Sequence, residues 1–317
     1  MRTIAVLAAA LLTAPVHADV VDLGISNANL FSLGNFSASG SDVEGAVLVK
    51  GNFTASSYSV NKKDKDAFGS YSLVVGGNMN YSSAALNNGS YYVGGKATLV
   101  SVGTDKNTKS STVNPANFNA MAANVKKVST ALTNATETGR SSVQYGGMTL
   151  TGSNKSVEVF DITGSALSSV NYFNLNNLKS GSTLIFNISG KNAIGFNQNG
   201  VGLNGFDKYN VLFNFYEATN LNLQNVGVYG SILAPLATVT GNGGVVNGQV
   251  IVGNWLSNVQ INASNYFSPT NVAGYSLALA PVPELSVWPM LLVGLGLIGL
   301  FKARRRDDDM MPIGLPA

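Results

Sequence analysis

The sequence predicts a mainly β protein: an irregular β-solenoid with one amphipathic α-helix beside it. Two observations carry that prediction. First, a short motif recurs in which a β-branched or aromatic run is followed by glycine, a polar residue and a second apolar stretch. It reads Val47-Leu48-Val49-Lys50-Gly51-Asn52-Phe53, then Leu73-Val74-Val75-Gly76-Gly77-Asn78-Met79, then Tyr91-Tyr92-Val93-Gly94-Gly95-Lys96-Ala97, and last Gln249-Val250-Ile251-Val252-Gly253-Asn254-Trp255. Val143-Gln144-Tyr145-Gly146-Gly147-Met148 is a looser copy. Second, one segment between the copies changes its apolar period from that of a strand to that of a helix.

A single short strand cannot bury its apolar face, so successive copies must stack to make a continuous core. Glycine permits a turn with positive φ or a close pass to the neighbouring layer. The copies are unevenly spaced, which makes the expected solenoid irregular. A β-sandwich of hairpins is the alternative, because strand periodicity alone does not separate the two. Turn signals such as Asn87-Asn88-Gly89 and Gly241-Asn242-Gly243-Gly244 lie between the strands.

Asn114-Pro115 offers an N-cap and a first-turn proline. Phe118, Met121, Ala122, Val125, Val128 and Leu132 follow at helical spacing, with Asn124, Lys126 and Lys127 off that face. A helix is therefore expected over about 115–134, ending before Thr138-Gly139 and covering an edge or side of the β core. Further strands are expected at 156–162, 183–189, 209–215, 221–223 and 226–234. The most apolar of them, 183–188 and 211–215, are expected to be central. The β domain is assigned to 19–266 and a linker to 267–281.

The ends carry targeting signals. Arg2 and the apolar run 4–12 read as a secretory signal peptide, and Val16-His17-Ala18 places the cleavage after Ala18. Cleavage removes His17, the single histidine, and the chain has no cysteine. Histidine or cysteine nucleophile pairs, His/Cys zinc sites and disulfides are thereby excluded from the mature chain. Charged residues make up 11% of the sequence, and the net charge of +3 hides a basic cluster at the C-terminal end. The middle is close to neutral, so no nucleic-acid face is expected.

Near the C-terminus, Val282-Pro283-Glu284 precedes Trp288, an apolar glycine-containing run over 286–301 and the cluster Lys302-Ala303-Arg304-Arg305-Arg306. This layout over 282–306 resembles a PEP-CTERM sorting domain, with Leu285 in place of the second proline and a tail at 307–317. The resemblance implies recognition by an exosortase-type sorting enzyme in a Gram-negative bacterium. It also implies at least transient residence in the inner membrane and delivery to the cell surface or extracellular matrix.

The middle region carries Ser41-Asp42-Val43-Glu44-Gly45, Val74-Val75-Gly76-Gly77-Asn78 and Val211-Leu212-Phe213-Asn214-Phe215-Tyr216-Glu217-Ala218-Thr219. It also carries Gly230-Ser231-Ile232-Leu233-Ala234-Pro235 leading to Val246-Asn247-Gly248-Gln249-Val250-Ile251. These stretches resemble the choice-of-anchor A domain, an adhesive domain of bacterial surface proteins, although Ala46 stands where that family often has arginine. The last pair is also similar to bacterial ice-binding proteins, which are β-solenoids flanked by a helix. The resemblance implies a secreted, surface-anchored adhesive protein that binds exopolysaccharide or cell surfaces in a biofilm matrix.

Residues that could carry chemistry are few. Asp42 and Glu44 lie two apart, so on a strand both face the same side, and they are the best candidates for a polysaccharide-cleaving carboxylate pair. A capping role in the first layer is the favoured reading of both, with Gly45 as part of the same motif. Glu158 and Asp161 are expected on opposite sides of a strand, and Glu217 on a solvated face or bound to backbone amides. Asp64-Lys65-Asp66 begins like a calcium loop but fails at Phe68 and Val75. Thr149-Leu150-Thr151 and Thr238-Val239-Thr240 have strand spacing without the regular repeat that an ice face needs. Tyr91 and Tyr92 are read as either sugar platforms or core. No catalytic residue, cofactor or metal is therefore assigned; the expected partners are the sorting enzyme and a surface or exopolysaccharide ligand.

Overall fold

The computed structural model describes residues 18–192, 194–196 and 205–277. The signal segment before Ala18 and the sorting segment 282–306 lie outside the described residues. The chain divides into Met1–Leu277 and Ala278–Ala317, and the description below concerns the first unit.

The protein is mainly β, with one long helix. A 21-stranded sheet runs through the unit, and its strand pairings are parallel. Its strands fall into three ladders. In the first, Phe160, Phe186, Phe213, Ile232 and Val250 follow one another in register and continue into Leu30, Val47, Leu73 and Tyr91. Those side chains point inward, and Phe160, Phe186 and Phe213 stack at 5.2 and 5.0 Å. The alternate residues, among them Leu233, Ile251, Phe31, Leu48 and Val74, point the other way, into a second apolar cluster shared with the long helix. Both faces of this ladder are buried, which is why its strands read as unbroken apolar runs rather than alternating ones.

The second ladder alternates. Phe36–Ser39 and Phe53–Ser56 bury Phe36, Ala38, Phe53 and Ala55 and turn Ser37, Ser39, Thr54 and Ser56 outward. The third ladder joins Val226–Tyr229, Gly244–Asn247, Gln260–Asn262, Asp42–Val43 and Ser59–Val60.

The repeated glycine motif is the corner between the first two ladders. A Cβ at Gly51 would lie 2.7 Å from the Gly34 carbonyl oxygen, and one at Gly77 would lie 2.7 Å from that of Gly51. Close approach of neighbouring backbones, not positive φ, therefore demands glycine here. The following asparagine does a second job. Asn35 Oδ1 accepts from the Asn52 amide at 2.9 Å, Asn52 Oδ1 from the Asn78 amide at 2.9 Å, and Asn78 Oδ1 from the Lys96 amide at 2.8 Å. Asn254 Oδ1 accepts from the Asn35 amide at 2.9 Å in the same way. The Gly-Asn pair thus turns the chain and satisfies the amide that the turn would leave unpaired.

The looser copy at 143–148 proves different. Arg140–Gln144 and Gly147–Thr151 form an antiparallel hairpin in a separate three-stranded sheet with Tyr172–Asn176. Tyr145 and Gly146 both have positive φ, 50° and 75°, as a two-residue hairpin turn requires.

The helix, α1, covers Phe118–Ala131 and is followed by a 3-10 turn at Leu132–Asn134. It begins later than the 115 expected, because Asn117 rather than Asn114 is the N-cap: its side chain accepts from the Ala120 amide at 3.1 Å. Asn114 instead closes a local turn onto the Ala116 amide at 3.0 Å. The expected strand 226–234 is also broken, into Val226–Tyr229 and Ser231–Gly241, at Gly230 with φ 131°.

Residues 267–277, read as linker, are integral to this unit. Thr270–Ala273 pairs antiparallel with Ala18–Val21, and Val272 and Tyr275 are buried. The Asp19 carboxylate accepts from Ser276 Oγ at 3.0 Å and the Leu277 amide at 3.2 Å.

The strand 250–252, late in the chain, pairs with Leu30–Ser32 near its start. Trp255 likewise pairs with Phe36 and Ile261 with Val43. This seam joins the strands made before α1 to those made after it. α1 spans it: Phe118 stacks on Phe31 at 6.2 Å on one side, while Ser129 Oγ donates to Asn214 Oδ1 at 2.6 Å on the other. From Phe118 to Ser129 the helix rises about 17 Å, close to the ~14 Å covered by the three interstrand steps between the strands of Phe31 and Asn214.

Replacing Gly51 by alanine is expected to cost about 1–3 kcal/mol, since a rigid backbone oxygen stands in the way. Asn214→Ala is expected to cost about 2 kcal/mol or more, because it strands Ser129 and Asn187 in the helix interface. Denaturant unfolding of each variant checks both values.

Candidate functional site: the polar face of the second ladder

The second ladder presents the most regular accessible surface. Its outer row runs Asn222, Thr240, Leu256, Ser37, Thr54 and Asn80 in register. A second row, Ser39, Ser56 and Ser82, runs beside it. Between the rows lies a shallow concavity of about 330 Å³ whose lining includes Ser37, Thr54, Ser56, Asn80 and Ser82 and no charged side chain. Asn258 Oδ1 accepts from the Ser39 amide at 2.8 Å at its margin, and Leu256 is 46% exposed beside it. Hydroxyl and carboxamide groups on a flat, neutral strand surface can donate and accept hydrogen bonds over a wide area but supply no acid, base or nucleophile of shifted reactivity.

Of the two threonine pairs, Thr238 and Thr240 lie on this ladder, and Thr238 Oγ1 accepts from Asn254 Nδ2 at 3.3 Å. Thr149 and Thr151 lie in the separate hairpin sheet. Tyr91 packs against the inner core, and Tyr92 against the helix-side cluster.

Asp42, Glu44 and Gly45 sit at the seam. The Glu44 amide donates to the Ile261 carbonyl at 2.9 Å, and Glu44 Oε2 accepts from the Ala263 amide at 3.1 Å. Lys63 Nζ stands 4.0 Å from Glu44 Oε1. The Gly45 amide donates to Asn29 Oδ1 at 3.0 Å, and a Cβ there would fall 2.6 Å from the Tyr266 hydroxyl. Burial, then the Glu44 charge, raise the pKa of Asp42 against a lowering by Lys62. A raised carboxyl beside a second carboxylate is the electrostatic mark of an acid–base pair. Here, however, Glu44 is committed to the seam, and neither residue lines the concavity on the second ladder.

The seam also holds buried Asn29, which its setting in the sequence did not single out, together with Gln249 and Ser231. Buried Asn29 donates from Nδ2 to the Gly248 carbonyl at 2.8 Å and to that of Asn262 at 3.2 Å. Gln249 Nε2 donates to the Ala28 carbonyl at 3.1 Å, and Ser231 Oγ accepts from the Gln249 amide at 3.0 Å. The stretches 230–235 and 246–251, noted for their resemblance to adhesive domains, therefore build the junction between the two halves.

Glu158, Asp161, Glu217 and Asp66 each accept hydrogen bonds from the protein itself. Glu158 is buried, whereas Asp161, on the opposite side of its strand, is exposed. Burial by itself would raise the Glu158 pKa. The Lys155 amide, the Thr138 hydroxyl and the amide and hydroxyl of Ser153 outweigh that and hold it below the ordinary glutamate value. Glu217 Oε1 accepts from the Gly190 amide at 2.7 Å. In the loop that begins like a calcium site, Asp66 Oδ1 accepts from Asn61 Nδ2 at 2.6 Å. Among the described residues no group of three or more histidine or acidic side chains comes together as a metal site. Nor is any helix among them long and apolar enough to cross a membrane; the apolar run 286–301 lies outside them.

A depressed folded-state pKa means that Glu158 stabilises the fold above the ordinary glutamate value and that this contribution fades as pH falls through the lower folded value. Glu158→Gln is expected to cost about 2 kcal/mol at neutral pH. The gap to the parent protein is expected to close in strong acid, as followed by thermal melts across a pH series.

No curated protein matches this chain. Among solved structures, an ice-binding protein from an Antarctic ascomycete, Antarctomyces psychrotrophicus, is similar at 15% identity with a TM-score of 0.32, over 79% of this chain and 100% of that one. A family model described as "Putative Ice-binding-like adhesive domain" matches residues 24–263, three quarters of the sequence, and the chain belongs to that family.

Proposed function

We propose that this chain is a non-enzymatic, surface-displayed adhesive protein that grips a hydroxyl-rich matrix, exopolysaccharide foremost, through the polar face of its second ladder. In this reading the three parallel ladders are the sides of an irregular β-solenoid. The first side is covered by α1 and the second is left free for contact. The observation that carries the reading is the in-register, uncharged Ser/Thr/Asn rows around Ser37, Thr54, Asn80 and Ser56. Such rows repeat weak hydrogen-bonding groups every ~4.8 Å along the ladder, and many weak contacts sum to firm attachment to a polymer. Family membership supports an adhesive role and with it a surface or extracellular location.

The targeting signals complete the proposal. Arg2 and the apolar run 4–12, with cleavage after Ala18, would export the chain in a Gram-negative bacterium. Val282, Pro283, Glu284 and Trp288, with Arg304, Arg305 and Arg306, would present a membrane-anchored precursor to an exosortase-type enzyme.

A second reading, attachment to ice, is favoured by the ice-binding-like family and by the Thr240, Ser37, Thr54, Asn80 row on a flat strand surface. The interruption by Leu256 and the mixture of side chains place it behind adhesion to polymer.

The test mixes the full chain with the producing organism's exopolysaccharide and follows retention and polymer length together. Retention at unchanged length is expected, reduced by Thr54→Trp or Ser56→Trp and untouched by Asp42→Asn. Polymer shortening abolished by Asp42→Asn or Glu44→Gln would replace adhesion with cleavage. No retention, with slowed ice recrystallisation lost in the same tryptophan variants, would establish the second reading instead.

A further inference from the structure

Val143, Tyr145 and Tyr172 are large apolar side chains left exposed, and all three belong to the small sheet of Arg140–Gln144, Gly147–Thr151 and Tyr172–Asn176 and its turn. The inner face of this sheet is anchored. Met148 and Leu150 are fully buried in the main apolar cluster, and Phe173 meets Phe206 edge to face at 5.5 Å. Both ends of the strands are tied as well. The Asn171 amide donates to the Gly146 carbonyl at 2.6 Å, and Asn177 Nδ2 donates to the Gly152 carbonyl at 2.9 Å. A sheet held in this way presents its outer face ready made and loses little freedom when something binds there.

The outer face follows from the register. Residues opposite one another in neighbouring strands share a face. Gly147 and Tyr172 therefore form one row, Ser142, Thr149 and Asn174 the next, and Arg140 heads the last. A Cβ at Gly147 would run into the Tyr172 ring. A Cβ on this face points away from the sheet, so the ring lies across the top of the glycine, one face on the backbone and the other toward solvent. Tyr172 is 45% exposed, and Tyr145, in the turn at the same end, is 91% exposed. Between that ring and Arg140 stand Ser142 and Asn174, both exposed, and half-buried Thr149. None of these three side chains is engaged by another described residue.

Charge selects the chemical class. The three strands hold one arginine and no acidic residue. Arg140 is exposed and forms no ion pair among the described residues. Exposed Lys155 and Lys179 lie in the segments that follow Thr151 and Asn176, at the Arg140 end of the sheet. The acids near that end are exposed Glu137 and buried Glu158, and Glu158 is bound by Thr138, Ser153 and the Lys155 amide. Two interstrand steps and four residues of rise set Tyr172 and Arg140 ~16 Å apart. A ligand that spans this distance needs an apolar ring face, hydroxyls along its length and an anion spaced well away from that ring. A nucleic acid fits less well, because it would bring one phosphate per nucleotide to a face with a single cation.

We propose that the outer face of this sheet binds an acidic polysaccharide, stacking a sugar ring on Tyr172, holding hydroxyls with Ser142, Thr149 and Asn174, and pairing a uronate carboxylate with Arg140. The site shares no residue with the second-ladder face and stands whether or not that face binds polymer.

The experiment titrates the full chain, by calorimetry, with oligosaccharides of gellan, in which glucuronate recurs among neutral sugars, and with the same oligosaccharides after carboxyl reduction. Millimolar or tighter binding of the native oligosaccharides is expected. Carboxyl reduction is expected to weaken it about three- to fivefold, the share of an exposed charge pair. Arg140→Gln is expected to weaken native binding by the same factor and to leave binding of the reduced form unchanged. Tyr172→Ala is expected to weaken both about tenfold. Asn174→Asp, at an exposed position that leaves the ring and the core in place, is expected to weaken the native form more than the reduced one. It keeps the test decisive should Tyr172→Ala fail to fold. Thr54→Trp on the second ladder is expected to change nothing. The proposal falls if no probe binds at tens of millimolar, if native and reduced forms bind alike, or if Thr54→Trp removes binding. It falls also if neither Tyr172→Ala nor Asn174→Asp alters affinity. Sedimentation showing a dimer that Tyr172→Ala dissolves would overturn it in favour of contact between copies of the chain.

Discussion

The rest of the structure depends on the seam at which a strand from the end of the domain pairs with one from its beginning. The pairing of 250–252 with Leu30–Ser32 makes one first ladder out of two separate runs of strands. Without it the inner apolar row would end at Val250 on one side and at Leu30 on the other, leaving two open sheet edges in place of a continuous core. Backbone pairing across so long a sequence separation must overcome a large loop-closure entropy. The polar side chains concentrated there, Asn29, Glu44 and Gln249, reduce the cost by satisfying carbonyls and amides that the join would otherwise bury unpaired.

α1 is the second consequence of the seam. A chain that adds strands outward from the junction, and must then begin again on its far side, has to travel back along the ladder. The helix makes that return and covers apolar surface on the way. Its contacts change with position: Phe118 meets Phe31 in an aromatic contact, whereas Ser129 and the Leu132 carbonyl meet Asn214 and Asn187 through buried hydrogen bonds. Apolar contact provides most of the attraction, and the directional asparagine bonds fix where along the ladder the helix rests.

That division leaves the three ladders unequal. The first is buried on both faces and has no contact to offer, while the third carries the seam residue Asp42 and a mixed outer row. The second is flat, uncharged and hydroxylated, because its corner asparagines pair with the next backbone amide and its outward positions are serine, threonine and asparagine. Those outward hydroxyls and carboxamides donate and accept hydrogen bonds without carrying charge, which suits the proposed contact with a neutral polymer.

Strand period, the change to helical period at Phe118 and the recurrent Gly-Asn motif were legible in the sequence, since each reflects local geometry that a few consecutive residues settle. The helix start was misplaced because Asn114 and Asn117 are both competent caps, and the geometry of the chain entering the turn chooses between them. The hairpin at Arg140–Gln144 resembled a corner copy because its glycines look alike in sequence and differ only in φ. Asp42 and Glu44 stood out as a carboxylate pair, and only the fold reveals that Glu44 meets Ala263 across the seam. Residues two apart constrain each other through the backbone. Residues more than two hundred apart meet only when hydrophobic burial closes the whole chain, so the join of 250–252 to Leu30–Ser32 was decided by tertiary structure alone.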